Sequence, residues 1–223
     1  MTTAVRQRPV DIGKPLLRGW LHTYAFFVAL VCGIVLCTLA AFRPGIAPLV
    51  GCVVYSLTIC GLFGTSALYH RRVWTPRGYA LMRRLDHSMI FLFIAGTYTP
   101  FSVLLLSPGK ATVILAIVWG GAIAGVVMKM AWPHGPRWAS APLYVALGWV
   151  AVVVLPDFLH SGGVTALVLL AAGGVAYTVG AIFYAARRPR GWPRYFGHHE
   201  FFHACTLVAA ACHHVALYFA LYQ

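Results

Sequence analysis

Acidic residues are almost missing from this chain. Its 223 residues include only Asp11, Asp86, Asp157 and Glu200 against seventeen Lys and Arg, and charged residues of both signs make up 9%. Soluble domains carry about 25% charged residues, so this shortage excludes an ordinary water-soluble enzyme. A disulfide framework and a Cys-x-x-Cys metal pair are also missing. All six cysteines (Cys32, Cys37, Cys52, Cys60, Cys205 and Cys212) fall inside apolar runs, where they read as small buried hydrophobes. No internal repeat is found. The excess of Lys and Arg raises the question of nucleic acid, but these residues sit in short clusters between apolar runs, as they do beside anionic lipid headgroups. The expected partners are therefore membrane lipids and not nucleic acid.

Hydrophobic residues, in contrast, make up 61% of the chain and its mean hydropathy is +0.79. A bilayer core about 30 Å thick needs about 20 apolar residues per helix. Runs of that kind cover roughly 21–42, 47–69, 87–107, 111–131, 140–156, 163–186 and 201–221, the fifth being the shortest. Breaks such as Arg43-Pro44-Gly45, Ser107-Pro108-Gly109, Trp132-Pro133-His134-Gly135-Pro136 and Arg188-Pro189-Arg190-Gly191 punctuate them. The first run is about twice as long as the apolar segment of a signal peptide, so it reads as a retained helix. With seven spans, fifteen of the seventeen Lys and Arg fall on the side of the N-terminus, leaving Arg43 and Lys110 on the other. The expectation is an all-α, multi-pass protein of the cell membrane. A basic cytoplasmic tail (1–20) precedes one seven-helix transmembrane domain (21–223), and the C-terminus lies outside.

Ionisable residues inside membrane helices are costly and mark function. They gather near the cytoplasmic ends of three spans: Ser66-Ala67-Leu68-Tyr69-His70, Leu85-Asp86-His87-Ser88 and His198-His199-Glu200-Phe201-Phe202-His203. Ser66 and His70 share one helix face, and so do His199 and His203. Two histidines four residues apart can grip one metal ion. His70 from another helix would complete a three-histidine set with the fourth tetrahedral position open, the pattern of catalytic zinc. Asp86 and Ser66 would then stand around the metal, Asp86 as general base.

Plainer readings stand beside these. A His-x-x-x-His pair also arises by chance in a chain with ten histidines, Arg83 and Arg84 are possible ion-pair partners for Asp86, and Ser66 alone reads as a helix-packing serine. His22, His134 and His160 read as packing or snorkelling residues, and His87 and His198 stay open. His199-Glu200-x-x-His203 also fits the His-Glu-x-x-His protease signature. However, the only further histidines on that helix, His213 and His214, lie about 15 Å deeper at 1.5 Å per residue. These two either line a polar interior or satisfy nearby backbone.

Taken in order, these motifs, with Phe91-Leu92-Phe93-Ile94-Ala95-Gly96-Thr97-Tyr98-Thr99-Pro100 and Cys212-His213, resemble the hemolysin III proteins. These are bacterial members of the progestin and adipoQ receptor family, which includes the adiponectin receptors. The resemblance implies a seven-helix bundle with Zn²⁺ near the cytoplasmic face, held by His70, His199 and His203, and with Asp86 and Ser66 beside it. In the adiponectin receptors a glutamine stands where this chain has Glu200, which weakens the protease reading. The function expected is zinc-dependent hydrolysis of a membrane lipid amide or ester, ceramidase-like, in membrane homeostasis. The alternatives are a non-enzymatic pore former, as the haemolytic family name suggests, and a sensor or receptor with structural zinc. A homo-oligomer is compatible with all of them.

Overall fold

A computed structural model describes residues 15–132, 137–188 and 195–223; most of the basic N-terminal tail, His134 and residues 189–194 lie outside the described residues. The described chain is almost entirely helical: α1 Trp20–Ala41, α2 Ala47–Arg71, α3 Pro76–Leu105, α4 Pro108–Ala131, α5 Arg137–Trp149, a 3-10 segment Val150–Val154, α6 Leu155–Ala185 and α7 His198–Leu221. Six helical stretches are long and apolar enough to cross a membrane, counting Ala141–Ala185 as one. The protein is therefore an all-α, multi-pass membrane protein. On α1, Phe27, Val28, Val31 and Ile34 are 60 to 62% exposed. A band of that kind is tolerated only where the surrounding solvent is lipid.

Neighbours in sequence pack as neighbours in space: α1 on α2, α2 on α3, α3 on α4, and α6 most extensively on α7, which also returns to α1 and α3. The central helix is α3, which buries Phe91, Phe93, Tyr98 and Phe101. It meets α2 so closely that a methyl group on Gly51 would stand 2.9 Å from Cα of Pro100. A larger residue there would force the two helices apart.

Two helix limits differ from the hydropathy expectation, and each difference has a local cause. First, α3 starts at Pro76, well before the apolar run at 87. Pro76 opens the helix and Thr75 caps it, its hydroxyl accepting from the Gly78 N–H at 3.2 Å. This extension carries Arg83, Arg84 and Asp86 on helical backbone that hydropathy does not detect. Second, the fifth run does not end at 156: the chain tightens to 3-10 geometry after Trp149, resumes as helix at Leu155 and leaves helical backbone only at Gly163, whose φ of 74° suits glycine and where the sixth run is expected to begin. Tyr98 holds the first break: its hydroxyl accepts from the Ala151 N–H at 2.6 Å and donates to the Gly148 carbonyl at 2.5 Å. Backbone groups released by the break are thus satisfied inside the bundle, as a lipid environment requires.

Candidate functional site

The last turns of α2 and the first turns of α7 bring three histidines together. His70 and His199 approach with their Nε2 atoms 3.1 Å apart. One ligand nitrogen from each of His70, His199 and His203 lies within 4.8 Å of the others. The three rings are mutually close, with centroids 4.4 to 5.3 Å apart. Zinc–nitrogen bonds of about 2.0–2.1 Å in a tetrahedron separate neighbouring ligand atoms by roughly 3.3 Å. The donor set therefore suits a single metal ion: three imidazole ligands within 4.8 Å of one another, the pair His70–His199 already near the tetrahedral spacing, with His203 buried and the other two half-buried.

The histidines sit at one end of a cavity of about 580 Å³, a size that suits a small-molecule or acyl ligand. Its deeper walls are apolar, including Leu62, Ile90, Phe93, Phe101, Leu155 and Phe158. All five residues expected from the sequence, Ser66, His70, Asp86, His199 and His203, line this one cavity. Ser66 is buried and lies beside the Asp86 carboxyl group on the cavity wall. Among the described residues Asp86 forms no ion pair with Arg83 or Arg84, and its nearest basic group is His87 Nδ1 at 3.8 Å. The ion-pair reading of Asp86 is therefore replaced by contact with Ser66 and with the cavity.

Glu200 has a different part. Its side chain is 1% exposed, pairs with Arg18 and accepts from the Gly197 N–H at 2.8 Å, so it caps α7 and ties it to the segment before α1. It does not line the cavity, and this removes the geometric basis for a protease-type general base.

His22 is a packing residue, as expected, yet it stacks on His203, with ring centroids 3.8 Å apart and planes 7° from parallel. It is 3% exposed, it lines the cavity, and neither ring nitrogen has a hydrogen-bond partner among the described residues. No sequence spacing relates α1 to α7, so this contact had no signal to find it by. Of the others, His213 also lines the cavity, with Nε2 3.2 Å from the Leu170 carbonyl. His214 lies 3.2 Å from the Tyr218 hydroxyl. His87 Nδ1 lies 2.6 Å from the Arg83 carbonyl, His198 packs near Tyr184, and His160 is exposed.

The fold and site define a multi-pass helical membrane protein with a three-histidine cluster at the head of an apolar cavity. A family model described as "Haemolysin-III related" matches residues 10–214. The chain is 30% identical over 211 residues to Hemolysin-3 of Bacillus cereus, covering 95% of this chain and 93% of that protein. It is 31% identical over 166 residues to the Hemolysin-3 homolog of Bacillus subtilis (strain 168), 73% of each. A more distant match is the Heptahelical transmembrane protein ADIPOR2 of Oryza sativa subsp. japonica, 31% identical over 156 residues, 63% of this chain and 68% of that one. The chain belongs to the haemolysin-III-related family, within the progestin and adipoQ receptor superfamily, and is a protein of the cell membrane.

Proposed function

We propose that this protein is a seven-span, zinc-dependent hydrolase of a membrane lipid amide or ester. The observation that carries the reading is the union of three metal-spaced histidines with a Ser66–Asp86 pair at the mouth of an apolar, ligand-sized cavity.

Support for seven spans comes from the 45 residues of Ala141–Ala185. As one straight helix they would measure about 68 Å, more than twice a bilayer core. The 3-10 break and the bend at Gly163 offer places for the chain to divide into two crossings, and the name of the rice relative, heptahelical, supports that count. With seven crossings the histidine site falls on the side rich in Lys and Arg, which is the cytoplasmic side.

A bound zinc ion would polarise the acyl carbonyl and make water a nucleophile near neutral pH. Asp86 takes the proton of the attacking water on its carboxylate oxygen, and Ser66, beside it on the cavity wall, orients that water. The carbon–nitrogen or carbon–oxygen bond then breaks, and the proton passes from Asp86 to the departing amine or alkoxide. Apolar walls hold the acyl chain and keep bulk water out, which strengthens every polar contact at the head of the cavity.

The test combines zinc content of purified protein with fatty-acid release from a panel of lipid amides, for the native chain, His70→Ala and His203→Ala. Near-stoichiometric zinc, lost together with release in both variants, supports the reading. Zinc without release would leave a structural or sensing site, and protein without zinc would overturn the reading.

A further inference from the structure

Lysines near the ends of membrane helices normally stretch outward to reach headgroups and water. Lys110, at the start of α4, does so: it is 57% exposed and pairs with Asp157. Lys129, at the opposite end of the same helix, is only 6% exposed and lines the cavity. Among the described residues it has neither an ion pair nor a hydrogen bond. Arg83 of α3 lines the same cavity.

Neither nearby carboxylate neutralises the two. Glu200 is occupied by Arg18 and the Gly197 amide, and Asp86 faces Ser66 and His87. Two like charges beside a largely apolar space, without a counter-charge among the described residues, are costly, and in a membrane protein an inward-facing cation of this kind marks a ligand path. An anion entering with the ligand removes the penalty. Phosphate suits the pair, because a guanidinium can grip two of its oxygens while an ammonium adds a compact charge.

We propose that Lys129 and Arg83 form a headgroup subsite that receives the phosphate of an anionic lipid. The substrate class of the enzyme is then an N-acyl lipid bearing a phosphate headgroup. Its amide lies at the histidines and its acyl chain runs into the apolar part of the cavity. The substrate role rests on the hydrolase reading above; the binding itself requires neither metal nor turnover.

The experiment measures dissociation constants for ceramide 1-phosphate and for ceramide with the same acyl chain, using full-length protein in nanodiscs of a neutral lipid. Variants are Lys129→Met, Lys129→Arg and Arg83→Gln, with His70→Ala as a site variant that leaves the subsite intact. Charge-assisted contacts predict a preference of about tenfold to hundredfold for the phosphorylated lipid. The preference ratio should collapse toward one in Lys129→Met, fall in Arg83→Gln, and persist in Lys129→Arg and His70→Ala. Equal affinities for the two lipids, or a preference that survives Lys129→Met, would overturn the proposal, even if ceramide itself were hydrolysed. Tighter binding of inorganic phosphate than of the phosphorylated lipid would overturn its assignment to a lipid. Phosphate-selective binding without fatty-acid release from any lipid would support the subsite while removing the hydrolase.

Discussion

Replacing Glu200 by Gln separates two explanations of the His-Glu-x-x-His string. If Glu200 were the general base, its loss would slow turnover by about 10²–10⁴-fold and leave the fold intact. The structure gives it two other tasks: capping α7 through the Gly197 N–H at 2.8 Å and pairing with Arg18 while 1% exposed. Gln keeps an oxygen for the cap, worth about 1 kcal/mol, but loses the charge. A charge-assisted contact contributes about 1.5–3 kcal/mol, and because Arg18 is 19% exposed it can recover part of its hydration. The expected destabilisation is therefore about 2 kcal/mol, or roughly 4–8 °C in melting temperature for a chain of this size. Glu200→Ala, which removes cap and pair together, should be worse, at about 3–5 kcal/mol. Melting is followed by tryptophan fluorescence in detergent, and turnover is normalised to folded, zinc-loaded protein well below the melting point. On that scale Glu200→Gln should retain activity within a few-fold. A native melting temperature combined with a hundredfold loss of turnover would refute the structural assignment.

Three further outcomes are expected. Asp86→Asn should keep its zinc but lose about 10²–10⁴-fold in fatty-acid release, and Ser66→Ala should lose less, as checked by metal analysis beside a release assay. His22→Ala, which removes the ring stacked on His203, should weaken zinc affinity about tenfold in competition with a fluorescent chelator; unchanged affinity would make the stack mere packing. Tyr98→Phe strips the hydroxyl from the break after Trp149, leaving Ala151 N–H and the Gly148 carbonyl unsatisfied. It should cost about 1–3 kcal/mol, with a lower melting temperature and faster amide exchange at Val150–Val154 as the readouts.

The histidine site was legible because its parts obey local rules. Ser66 with His70 and His199 with His203 are each four residues apart on one helix, and a span count sets both ends at one depth. Other features obey no local rule. Hydropathy registers lipid and not helix, so the Pro76–Asp86 extension of α3 was invisible, although it carries Arg83 and Asp86 to the cavity. The sixth apolar run is expected to begin at 163, where the helix does break, but that Gly163 makes the bend shows only in its φ of 74°. Lys129 reads in sequence as an ordinary cytoplasmic flank; its inward turn depends on the void enclosed by the other helices. The contact of His22 with His203 joins the first helix to the last, and no periodicity connects them.

That the histidines come from α2 and α7 also bears on how the protein is made. His70 emerges from the ribosome 129 residues before His199, a delay of roughly 6 to 26 s at about 5–20 residues per second. Through that interval α1 and α2 hold only one of the three clustered histidines. Arg18 and His22 wait on the early side for Glu200 and His203 on the late one. On the zinc reading proposed above, metal acquisition would mark the end of assembly, because the three-histidine set is complete only once the final helix has docked.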